Sequence, residues 1–175
     1  MSEFGKLIQK IGRQAFENDK HSGCSQSVLQ SLQENLNIGD MESFKAATLL
    51  SGGVVAFGET CGAFLGGLMA LGLVIGREKM EDYETLNNAM AVGARMRERF
   101  KDALKDGFGF EGELKSTTCK EIQEKIYGRS FKLYDPEELK AFLDAGGHSD
   151  HGCLKTCQIG ACIAAEQILE VLNED

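Results

Sequence analysis

The chain has 175 residues, of which 42% are hydrophobic, and a formal net charge of −8 at pH 7. This length and hydrophobic content predict one globular domain spanning residues 1–175. The acidic charge argues against nucleic acid and against an anionic membrane surface as partners. The charged, amphipathic N-terminus lacks an apolar signal core, so we expect a cytoplasmic protein whose six cysteines experience a reducing environment.

The spacing of apolar residues predicts an all-α fold, a multi-helix bundle around a central glycine-rich helix. Asp40 and Asp135 are predicted helix N-caps, the second one because Pro136 and two acids follow it. In the helix after Asp82, one apolar face from Tyr83 to Leu104 is expected to pack inward. The expected helices are 3–17, 24–36, one after Asp40, one from about 58–61 to 76, 82–105, 119–128, 136–146 and 153–172.

The central stretch from Ser51 to Gly76 is rich in glycine and apolar residues, and Glu59 is its only charged residue. Its uncharged part is slightly shorter than the roughly 20 residues that a membrane span requires. We therefore predict a buried helix whose glycines allow neighbouring helices to approach closely. Glu59 is a candidate ligand or general acid/base if it is buried.

The cysteines share a local setting that indicates thiol chemistry. Cys24, Cys61, Cys119 and Cys153 are each predicted at the start of a helix, where free amides favour a thiolate. Cys157 lies one turn after Cys153 on the same face, whereas Cys162 points elsewhere and is expected to be a plain core residue. The sequence contains no CxxC pair, so a site would have to be assembled from distant helices.

The chain has three histidines, and two of them, His148 and His151, come shortly before Cys153. Imidazole is a common metal ligand. We interpret these two and His21 more simply as polar loop residues near helix starts.

Several segments resemble the C_GCAxxG_C_C family of putative redox-active proteins. The segment CGAFLGG at Cys61 is similar to the family's CGAxxG element, and Cys24, Cys119 and Cys157 are similar to its other cysteines in the expected order. The resemblance covers about residues 23–172, with Cys153 and Cys162 as additional cysteines. It implies redox activity, and a related domain in certain multihaem cytochromes is associated with an iron–sulfur cluster.

These observations predict a redox-active protein in which Cys24, Cys61, Cys119 and Cys157 bind an iron–sulfur cluster or another thiolate-bound metal. Cys153 could replace one of the four, and a redox partner protein is expected. One alternative is a metal-free thiol–disulfide oxidoreductase that uses Cys61 or Cys119 as its catalytic residue. Another is a non-catalytic helical binding protein whose cysteines are simply packed. The sequence predicts no oligomeric state.

Overall fold

The computed structural model describes residues 2–174, which form eight α-helices and no strand. The all-α prediction is confirmed. The helices are α1 (Glu3–Asp19), α2 (Cys24–Leu36), α3 (Met41–Ala46), α4 (Gly62–Ile75), α5 (Tyr83–Phe108), α6 (Cys119–Tyr127), α7 (Pro136–Asp144) and α8 (Cys153–Glu174), with a 3₁₀ turn at Ala47–Leu50.

Local sequence signals account for several helix boundaries. The Asp40 carboxylate accepts a hydrogen bond from the Ser43 amide and forms a capping box with it. Asp135 accepts hydrogen bonds from the amides of Glu137 and Glu138, and Pro136 occupies the first helical position. Both predicted N-caps are therefore confirmed.

The core forms where α8 packs against α1, α2, α4 and α5. Large apolar side chains from these helices, such as Ile11, Leu29 and Phe100, are completely buried. Phe64 of α4 stacks on Phe100 of α5, with ring centroids 5.4 Å apart. No helix among residues 2–174 is long and apolar enough to cross a membrane.

The prediction for the first half of α5 is wrong. Met96, Phe100 and Leu104 are buried as expected, but Tyr83 and Met90 are 68% and 67% exposed. Met90 lines an open groove between α4 and α5, which leaves its side chain accessible to solvent.

Candidate functional site

The start of α4 brings the first two cysteines together. Gly62 lies against α2 so closely that a Cβ atom there would be 2.3 Å from the Cys24 sulfur. A Cβ atom on Gly66 would be 2.3 Å from the carbonyl oxygen of Ser25. The absence of side chains at these two positions therefore allows α2 to pack directly on α4, as predicted, and places Cys24 next to the helix start that carries Cys61.

A short antiparallel bridge between Thr60 and Thr118 places Cys119 beside Cys61. The amide of Cys61 donates to the carbonyl of Thr117 at 2.8 Å, and the amide of Cys119 donates to the carbonyl of Glu59 at 2.6 Å. Two cysteines that are 58 positions apart are thus fixed at the starts of two neighbouring helices, α4 and α6.

Helix α8 contributes two further thiols. Cys153 is its first residue and Cys157 follows one turn later, so both side chains face the starts of α2 and α4. The Cys157 thiol lies 3.9 Å from the carbonyl oxygen of Cys24. Cys162 is on another face, where its sulfur lies 3.6 Å from the carbonyl oxygen of Ile8 in α1.

Five cysteines, from four different helices, line one cavity of about 260 Å³. Helices α2, α4, α6 and α8 all begin at this cavity, so the partial positive charges of four helix N-termini are directed toward it. The cysteines that line it are Cys24, Cys61, Cys119, Cys153 and Cys157.

The protonation of these thiols differs from the expectation. The backbone amides of Ala63 and Phe64 lower the pKa of Cys61, as predicted for a helix start. Burial outweighs them and, with the neighbouring Cys24, raises the pKa of Cys61 to about 12. Burial likewise raises the pKa of Cys24 to about 11 and that of Cys119 well above its usual value. The predicted preference for thiolates is therefore wrong for the metal-free protein.

Cys153 and Cys157 behave in the same way. Burial is the largest cause that raises the pKa of each thiol, and the Asp19 carboxylate and the Cys24 sulfur raise them further. The cavity of the metal-free protein is thus lined by neutral thiols near pH 7.

Two polar residues that sequence reasoning did not place in the site also line the cavity. Asp19, the last residue of α1, is completely buried, and His148 lies in the loop before α8. Asp19 Oδ2 and His148 Nδ1 are 3.5 Å apart, and neither atom has a hydrogen-bond partner. The Asp19 side chain is the main cause that raises the pKa of His148, although partial burial of the imidazole opposes it.

Of Asp19 and His148, only His148 has a feature in the sequence that could point to the site. His148 stands five positions before Cys153 and is a potential ligand by residue type, although the sequence alone favours a polar loop residue. Asp19 lies in a polar stretch that resembles an exposed helix end. His21, His151 and Glu59 are exposed, so Glu59 does not meet the condition of burial on which its candidacy depended.

A strained segment forms another part of the cavity wall. Residues 52–56 all have positive φ angles, including Val54 at 59° and Val55 at 44°. Such angles are unfavourable for β-branched residues, by roughly 1–3 kcal/mol each. The amides of Gly58 and Glu59 hold the segment by donating to the carbonyls of Gly52 and Gly53. Gly52 and Ala56 of this segment line the cavity.

The geometry can be compared with known proteins. The model of one protein family, described as putative redox-active protein (C_GCAxxG_C_C), matches residues 22–167. The chain belongs to this family. No curated protein and no solved structure matches it.

The fold gives the C_GCAxxG_C_C motif a physical meaning. In the segment from Cys61 to Gly66, the cysteine caps α4 and the two glycines allow α2 to approach with Cys24. The family match contains all five cavity cysteines, whereas Asp19 lies outside it.

The cavity is not a preformed site for a single metal ion. Four sulfurs around one tetrahedral zinc ion, at about 2.3 Å from it, are only about 3.8 Å from one another. Within the described part of the chain, no group of three or more His, Cys, Asp or Glu side chains is arranged to hold a metal ion. A polynuclear cluster is compatible with thiols that are spread around a cavity, and the donor set of five cysteines has the soft chemistry that it requires.

Proposed function

We propose that this C_GCAxxG_C_C protein is a redox protein whose cavity binds an iron–sulfur cluster. The observation that carries the proposal is the convergence of five buried or half-buried thiols, from four helices, on a single cavity. Cys24, Cys61, Cys119 and Cys157 would hold the cluster, and Cys153 is a fifth thiol at the same cavity. Such a cluster, when bound, supplies one-electron transfer.

The charges of the site support this assignment. Thiolate-bound clusters are anionic, and four helix N-termini stabilise negative charge at the cavity. Amides at a helix start favour negative charge on a nearby sulfur, as those of Ala63 and Phe64 do at Cys61. Hydrogen bonds to the sulfurs would tune the potential of a bound cluster.

The raised thiol pKa values favour metal binding over thiol–disulfide exchange. A redox nucleophile needs a lowered thiol pKa and partial exposure. Cys61 and Cys119 instead have raised pKa values and are only 5% and 7% exposed. A bound metal displaces the proton of each thiol and compensates the buried negative charge, so burial is no obstacle to ligation.

The test compares two cysteine variants of protein purified and reconstituted with iron and sulfide in the absence of oxygen. We expect the unaltered protein to hold iron and acid-labile sulfide in comparable amounts and to absorb visible light. Cys61→Ser should lower the iron content several-fold. Cys162→Ser is the matched control, because Cys162 lies outside the cavity, and should retain it.

Two outcomes would contradict the proposal. If the unaltered protein holds neither iron nor sulfide, the cavity does not bind a cluster. If Cys162→Ser loses as much iron as Cys61→Ser, the iron is not held at the cavity.

A further inference from the structure

The buried carboxylate of Asp19 is unusual in its electrostatic setting. It lies at the C-terminal end of α1, where the helix dipole is negative and disfavours an anion. Its side chain is completely buried, and a buried charge normally requires a partner that compensates it. A cation is therefore expected beside Asp19, and His148 supplies one only when its imidazole is protonated.

Among the described neighbours of Asp19, a hydrogen-bond donor reaches only one of the two carboxylate oxygens. Oδ1 accepts a hydrogen bond from the Ser27 hydroxyl at 3.4 Å, but Oδ2 has no donor. None of the residues that line the cavity is a lysine or an arginine. His148 is the one basic residue of the lining, and its Nδ1 atom is 3.5 Å from Oδ2 without forming a hydrogen bond.

The orientation of His148 is fixed by packing. Its ring contacts Phe142 edge to face, with centroids 5.8 Å apart, and three quarters of its side chain is buried. Nδ1 is completely buried and unpartnered, like Asp19 Oδ2. A carboxylate oxygen and an imidazole nitrogen without partners thus lie side by side at a cavity whose other walls carry thiols.

We propose that Asp19 and His148 are additional ligands, one through oxygen and one through nitrogen, of the metal centre that the cavity cysteines hold. This inference rests on the proposed cluster. A metal cation at this edge compensates the Asp19 charge and gives Oδ2 and Nδ1 the partner that they lack. Asp19 favours the protonated imidazole, so a metal has to displace the Nδ1 proton. His148 then ligates as neutral imidazole, with its proton on Nε2 and the lone pair of Nδ1 on the metal. At least one iron of the cluster therefore carries ligands other than cysteine.

Mössbauer spectroscopy of protein reconstituted with ⁵⁷Fe and sulfide distinguishes these ligands. Iron with oxygen or nitrogen ligands has a higher isomer shift than iron bound by sulfur alone, and the method detects iron in every spin state. We expect the unaltered protein to show a minority of iron with the higher shift. Asp19→Asn and His148→Gln should each reduce this fraction by at least half, while most of the sulfur-bound iron is retained.

Exposed residues of the same loop provide matched controls. His151→Gln and Asp150→Asn remove an imidazole and a carboxylate that do not line the cavity, and both should leave the minority fraction unchanged. If Asp19→Asn fails to fold, the fraction of iron with the higher isomer shift in the unaltered protein and in His148→Gln still tests the inference.

The outcomes separate this inference from the proposed function. Iron that is entirely of the sulfur-bound type in the unaltered protein would overturn the role of Asp19 and His148 and leave the cluster in place. An unchanged minority fraction in both variants would do the same. Protein that takes up no iron would overturn the cluster itself, and this inference with it.

Discussion

The two ends of α4 have similar sequences and very different surroundings. Both are apolar and contain glycine, from Gly62 to Gly67 at one end and from Gly72 to Gly76 at the other. At the first end, added Cβ atoms at Gly62 and Gly66 would collide with α2. At the second, a Cβ atom on Gly72 would meet nothing within 4 Å, and Leu73 is 43% exposed. Glycine is therefore required for the packing of Gly62 and Gly66 on α2, whereas at Gly72 it is merely tolerated.

The largest expected effect is a dependence of stability on pH, caused by the cavity thiols at the start of α4. Their folded-state pKa values are raised, so their contribution to stability is present below the unfolded pKa of about 8.5 and is lost as pH rises toward 11–12. Between its unfolded and its folded pKa, each buried thiol lowers the free energy of unfolding by about 1.4 kcal/mol for every pH unit of increase. Because all five cavity thiols have raised pKa values, the free energy of unfolding should fall as pH rises through this range.

We therefore expect the reduced, metal-free protein to lose stability as pH rises from about 9 to 11, as followed by urea denaturation and circular dichroism at a series of pH values. Cys61→Ala removes one titrating group and should make the decline shallower. A free energy of unfolding that stays constant across this range would mean that the thiols ionise without penalty.

A smaller effect is expected for Gly66→Ala. The new methyl group would lie 2.3 Å from the carbonyl oxygen of Ser25, and backbone atoms cannot move aside cheaply. Overpacking of this kind costs about 1–3 kcal/mol. Urea denaturation of the metal-free variant measures the loss directly. If the variant is as stable as the unaltered protein, the close contact between α2 and α4 is not a requirement of the fold.

The smallest effect, and one of opposite sign, is expected for Gly72→Ala. Gly72 is exposed and helical, and alanine is favoured over glycine inside a helix by up to about 1 kcal/mol. The variant should therefore be slightly more stable in the same urea titration. Destabilisation at this position would show that the far end of α4 is also closely packed.

The sequence predicted features that depend on local chemistry. The caps Asp40 and Asp135 were identified because an N-cap acts on amides two or three residues away. The placement of four cysteines at helix starts was identified for the same reason, and Cys162 was correctly separated from them.

Features that depend on distant neighbours were not predicted. The direction of the thiol pKa shifts follows from burial, which is produced by helices more than 100 positions apart, as in the contact between Cys24 and Cys157. Asp19 resembled a solvated helix end because nothing in its immediate sequence indicates burial. Met90 fits the apolar face of α5 but is exposed, because the groove between α4 and α5 at this point is open.

The position of Cys157 in α8 has a consequence for biosynthesis. The ribosome makes Cys24 and Cys61, respectively, 133 and 96 residues before Cys157. Until α8 has emerged and packed, the earlier thiols lack the wall that encloses them. The proposed cluster would therefore be loaded only after α8 has been translated and packed, and a nascent chain that stalls before α8 would present Cys24 and Cys61 without their later partners.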